Sequence, residues 1–125
     1  MEKIKSLEQK RADLAWEFVH KDYVQNNSKE YRAAMRKLPT MILTSGLAQT
    51  VVFHLSKGKD KPHYEIIRNL AESLEKLLDI RDIGDPEKLM DKIKNADHET
   101  YMLLSNEALK YATWLKRFAE AELEE

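Results

Sequence analysis

The sequence predicts an all-α fold: a single-domain bundle of five or six helices spanning residues 1–125, built around a buried central helix at about residues 39–57. Three observations point there. Three glycines and three prolines in 125 residues leave little material for turns, so a few long helices fit better than many strands. No alternation of apolar and polar residues is sustained anywhere, and no internal repeat is visible. Between Lys37 and Lys57 no charged residue occurs, although 34% of the chain is charged. Apolar side chains in that stretch lie in every direction around a helix, the pattern of a helix covered on most sides.

Taken in order, Glu2 to about Asn26 reads as the first helix, with Ile4, Leu7, Leu14 and Phe18 on one stripe and Ala12, Trp16, Val19 and Tyr23 on an adjoining one. Asn26-Asn27-Ser28 breaks it, and Ser28 is placed to cap a short second helix through Leu38. Lys29, Arg32 and Arg36 adjoin on the exposed side of that helix as a basic ridge. Pro39 is placed to open the central helix, where its missing N–H costs nothing. Gly46, alone inside it, predicts the close approach of a neighbouring helix. The polar residues Thr40, Thr44, Ser45, Gln49, Thr50 and His54 argue against a membrane span. His54 reads as a core or interface histidine with a satisfied ring nitrogen.

Lys57-Gly58-Lys59-Asp60-Lys61-Pro62 is the clearest loop; Gly58 closes one helix and Pro62 opens the next. That helix uses Ile66, Ile67, Leu70, Leu74, Leu77 and Leu78, with Glu65, Glu72, Glu75 and Asp79 on its other side. Asp85 followed by Pro86 and Glu87 signals the next start, and a short helix uses Leu89, Met90 and Ile93. Asp97 caps the last helix, whose stripe runs through Tyr101, Leu104, Ala108, Tyr111, Ala112, Leu115 and Phe118. The closing acidic run Glu120–Glu125 is expected to be frayed and solvated.

Absence of cysteine rules out a disulfide framework, a thiol nucleophile and a cysteine-based zinc site. The charged start Met1–Lys10 is not a secretory leader, so the expected compartment is the cytoplasm. Net charge is −1, but it is unevenly spread: residues 1–61 hold 12 Lys/Arg against 7 Asp/Glu, and residues 62–125 hold 9 against 15. Such asymmetry either steers partners or is scatter over a charged surface.

Glu17-x-x-His20 has the spacing that aligns two metal ligands on one helix face, but a di-iron bundle needs a second copy and further carboxylates. Asn95 and Asp60 stand where that second Glu would be, so no metal site and no cofactor are expected. Asp97-His98 reverses the order of the metal phosphohydrolase pair. Ser45-Gly46 lacks the setting of a nucleophile elbow. No acid, base and nucleophile come together, so the chain is expected not to be an enzyme. Trp16, Tyr111 and Trp114 read as core; Trp114, followed by Lys116 and Arg117, also has the neighbours of a base-stacking platform.

The run Lys37-Leu38-Pro39-Thr40-Met41-Ile42, with Gly46-Leu47 and Gln49-Thr50 after it, resembles the signature of the small helical subunit of type III-B CRISPR effectors, the Cmr or RAMP-module complexes. Glu107-Ala108-Leu109, Tyr111 and Trp114-Leu115-Lys116-Arg117-Phe118-Ala119 resemble that family's second block. The resemblance implies an all-α, non-catalytic building block in antiviral defence. Such subunits stack in several copies inside the effector, against its backbone and large subunits, and line the path of guide and target RNA. RNA contact is then expected from Arg32, Arg36 and Lys37, from Lys57, Lys59 and Lys61, and from Lys116 and Arg117. Contacts would go to the backbone, since base pairing reads sequence. Opposite charge on the two halves would suit head-to-tail stacking of copies. The competing expectation is a helical adaptor or homodimer with no nucleic-acid role.

Overall fold

The computed structural model describes residues 4–125, and among them every regular element is a helix. In chain order these are α1 (Leu7–Val19), α2 (Asp22–Gln25), α3 (Ser28–Ser45), α4 (Leu47–Ser56), α5 (Pro62–Leu78), α6 (Pro86–Asn95) and α7 (His98–Glu122). The all-α expectation holds. The element count and the central helix do not.

The expected first helix is two. Its start at Glu2 lies outside the described residues; within them, Ser6 caps α1 through a reciprocal pair of hydrogen bonds with Gln9. Ile4 and Leu7, placed on the buried stripe by spacing, are exposed. Lys21 is extended and turns the chain, and the Gln25 side chain donates to the freed carbonyl of Val19 at 2.6 Å. The turn lets Val24 enter the same core as Phe18.

Pro39 does not open a helix. It lies inside α3, where its ring removes the N–H that would bond the carbonyl of Met35. A proline there costs about 3 kcal/mol of helix propensity, and packing outweighs it. Tyr31, Ala34, Met35, Leu38 and Ile42 recur at three- and four-residue steps and bury one face of α3 without a break. The break comes seven residues later, at Gly46, whose φ of 87° and ψ of 160° end α3 and begin α4. That region of backbone space belongs almost to glycine alone. Gly46 is therefore a corner rather than a contact point in a continuous helix. Across it, Tyr101 on α7 brings its hydroxyl to 3.4 Å from the N–H of Ala48, one of the donors that the start of α4 leaves open.

The charge-free stretch is thus split over two helices, and it is not covered on every side. Leu47, Thr50, Val51 and His54 are buried, whereas Leu43 is 72% and Val52 50% exposed. The central element is α7. It packs along α3 in the most extensive contact of the fold and also against α1, α5 and α4. Leu104, Ala108, Tyr111, Ala112, Leu115 and Ala119 of α7 are fully enclosed.

One start signal failed: Ser28 does not cap a helix but is the first residue of α3, whose N-cap position is held by Asn27 without a side-chain bond. The later start and stop signals held. Gly58 takes a positive φ of 103° and Pro62 opens α5. Asp85 accepts from the Lys88 N–H at 2.9 Å, and Asp97 from that of Thr100 at 2.8 Å. The C-terminal run is not frayed: α7 continues to Glu122, Leu123 is buried in the core, and the Glu124 N–H donates to Ser28 Oγ at 3.0 Å.

Candidate nucleic-acid interface

The eight cationic candidates fall into four places. Arg32 and Arg36 project from one side of α3, where the chain's own C-terminus meets them. Arg36 Nε lies 3.3 Å from Glu120 Oε2, and Arg32 Nη2 lies 3.7 Å from Glu125 Oε1. Arg32 is largely covered, and its Nε is enclosed with no hydrogen-bond partner among the described residues. The predicted ridge exists, but acidic residues from the other half of the chain partly neutralise it. Charge asymmetry is to that extent consumed inside one molecule rather than left for a neighbouring copy.

Lys37 projects from the next edge of α3. It faces a cleft of about 330 Å³ shared with Lys57, Phe53, His54, His63 and Glu30. Spacing alone could not pair Lys37 with Lys57. Three helices bring them together: α3 supplies Lys37, the end of α4 supplies Lys57, and the first turn of α5 supplies His63. Lys57 Nζ stands 4.7 Å above the centroid of the Phe53 ring, a cation–π arrangement. Neither lysine has a carboxylate within ion-pair distance among the described residues. Ala33 borders both this cleft and the arginine side of α3, so the two basic edges adjoin across one helix face.

Lys59 and Lys61 face a second cleft of about 470 Å³, in company with Arg68 and with Glu30, Asp60 and Glu65. Three cations against three carboxylates leave that surface electrically balanced, a poorer place for phosphate. Lys116 and Arg117 lie on the last turns of α7 and line none of these clefts.

His54 is 2% exposed, and its Nδ1 lies 2.8 Å from the carbonyl of Thr50. A carbonyl only accepts, so Nδ1 carries the proton and Nε2 keeps a lone pair. Burial pushes the His54 pKa down to about 4, outweighing the stabilising bond to Thr50, and the nearby His63 and Lys57 lower it further. Burial, then Lys57 and Lys37, also lower that of His63. The core assignment of His54 stands.

The aromatic candidates divide. Tyr111 is fully buried and donates to Asn69 Oδ1 at 2.5 Å. Trp114 gives its indole N–H to Glu8 at 2.9 Å and packs on Phe118, so it ties α7 to α1 rather than standing free for a base. Trp16, expected in the core, is 47% exposed and sits between His20 and Phe118. The reason is geometric: Ala15, Phe18 and Val19 already fill the inward face of α1. His20 Nε2 lies 3.7 Å from Glu122, and the described residues hold no group of three or more acidic or histidine ligands that could bind a metal.

A family model described as CRISPR-associated protein (Cas_Cmr5) matches residues 7–122. The CRISPR system Cmr subunit Cmr5 of Thermus thermophilus is 33% identical over 114 residues, covering 91% of this chain and 93% of the relative. The protein of the same description from Thermotoga maritima is 32% identical over 121 residues, covering 97% and 88%. The crystal structure of a CRISPR-associated Cmr5 family protein from Thermus thermophilus superposes with a TM-score of 0.79 at 31% identity, over 96% of this chain and all of that one.

Proposed function

This chain belongs to the CRISPR-associated Cmr5 family, and from that premise we propose that it is a non-catalytic building block of a type III-B Cmr effector in the cytoplasm. In this reading it stacks in several copies inside the complex, packs against the backbone and large subunits, and lines the path of guide and target RNA. The observation that carries the RNA role is the adjoining pair of basic edges on α3, with Arg32 and Arg36 on one side and Lys37, joined by Lys57, on the other. Lys59, Lys61, Lys116 and Arg117 remain outlying candidates. A few phosphate contacts per copy suffice when copies repeat along one nucleic acid.

Leu43 near the end of α3, Val52 on α4, and Met102 and Leu103 on α7 are large apolar side chains left in solvent. They supply the kind of surface that packs on other subunits. Cross-linking of the reconstituted effector on target RNA, followed by peptide mapping, tests the proposal. RNA adducts should fall on α3 and at Lys57; adducts confined to other subunits would reject it.

A further inference from the structure

The cleft between α3, α4 and α5 has more chemistry than a patch of surface charge needs. Lys37 and Lys57 offer two ammonium groups without a carboxylate partner among the described residues. Phe53, 39% exposed, stands at the wall with Lys57 Nζ over one face of its ring, leaving the other face for a base, and its centroid lies 5.4 Å from that of His54 and 6.2 Å from that of His63. His63 makes no hydrogen bond among the described residues, and its Nδ1 is enclosed at the wall with no partner. A buried polar atom left unmet in this way is rare in folded proteins. His54 has committed its only proton to Thr50, so what it can give a ligand is the acceptor lone pair of Nε2.

A backbone phosphodiester is all acceptor and would satisfy the lysines but not His54, which calls for a donor. A ribonucleotide supplies both: phosphate oxygens that accept, a 2′-hydroxyl that donates, and a base that stacks. We infer that this cleft is a ribonucleotide subsite, with the phosphate held by Lys37 and Lys57, the 2′-hydroxyl given to His54 Nε2, and the base set against Phe53. The inference rests on the RNA-lining reading above and sharpens it, because the subsite prefers RNA to DNA. With both imidazoles neutral, Glu30 facing the same space leaves a net lining charge of +1. One copy therefore binds weakly.

Weak binding suits a titration followed by nuclear magnetic resonance on the full chain. The four histidines serve as reporters, with His20 and His98 on the exposed surface as internal references. Oligouridylate should shift the ring signals of His54 and His63 and leave those of His20 and His98 in place. Oligodeoxyuridylate of the same length should do so roughly tenfold more weakly, as expected for one lost hydrogen bond to a buried acceptor. The exposed-site variant Lys37→Ala/Lys57→Ala should abolish both responses. Equal response to the two polymers, equal shifts at all four histidines, or no shift at all would overturn the subsite. Should RNA instead move signals around Arg36 or Arg117 alone, the subsite fails while the RNA-lining reading stands.

Discussion

Arg11 on α1 and Glu107 on α7 form a two-pronged ion pair across 96 residues of sequence, with Nε to Oε2 at 2.5 Å and Nη2 to Oε1 at 2.8 Å. Both side chains are buried, and Glu8 adds a third contact to the guanidinium at 3.2 Å. Removing one partner leaves an uncompensated charge inside the protein, at a cost of about 3–5 kcal/mol. Glu107→Gln should therefore lower stability by that order in urea denaturation. The double variant Arg11→Met/Glu107→Leu should recover most of the loss, since an apolar pair of similar volume replaces both charges. A single variant within about 1 kcal/mol of the parent would show that water reaches the pair.

Gly46→Ala tests the corner. A Cβ there would meet Tyr101 Oη at 3.4 Å, which is ordinary contact, so space is not the obstacle. Backbone conformation is, and a non-glycine residue at φ 87°, ψ 160° should cost about 1–3 kcal/mol. The loss should show as a lower denaturation midpoint with an unchanged slope.

Stability should fall on mild acidification. His54 titrates near 6.5 when unfolded and near 4 when folded, so between those values the unfolded chain binds a proton that the folded chain refuses. The stability lost grows as pH drops below 6.5 and levels off below about 4, reaching on the order of 3 kcal/mol from this group. His54→Gln, which keeps a donor for Thr50, should flatten that part of the profile. An unaltered pH dependence in the variant would assign the effect to other groups.

Neutralising the C-terminal carboxylates should release the arginines of α3. In Glu120→Gln/Glu125→Gln, both ion pairs are lost from partly exposed positions, so stability should change by no more than about 1 kcal/mol. RNA binding by the assembled effector should strengthen, with a steeper dependence on salt. Weaker binding would mean that these carboxylates hold Arg32 and Arg36 in their working positions.

The sequence made the local features legible and the long-range ones not. Asp85, Asp97, Gly58 and Pro62 act through hydrogen bonds and dihedral preferences within three or four residues, so their roles follow from neighbours alone. Pro39 and Gly46 misled for the opposite reason. Whether a helix runs through proline or bends at glycine depends on what its face buries, and the partner of α3 is α7, far along the chain. Leu123 fixes the acidic C-terminus onto the core, and nothing in a row of glutamates signals that anchor. The cationic candidates were identifiable by residue type, but their sorting into paired, balanced and open groups needed the packing of α3, α4 and α5.

In the proposed assembly, α3 and the end of α4 face RNA. The direct measurement is the salt dependence of target-RNA affinity for an effector reconstituted with Arg36→Ala/Lys37→Ala/Lys57→Ala in place of the parent chain. Each phosphate contact removed should reduce the slope of log affinity against log salt by roughly 0.7–0.9, multiplied by the number of copies. A shallower slope with weaker binding at low salt is the predicted result. An identical slope and affinity, in an effector that still incorporates the variant, would place the RNA elsewhere.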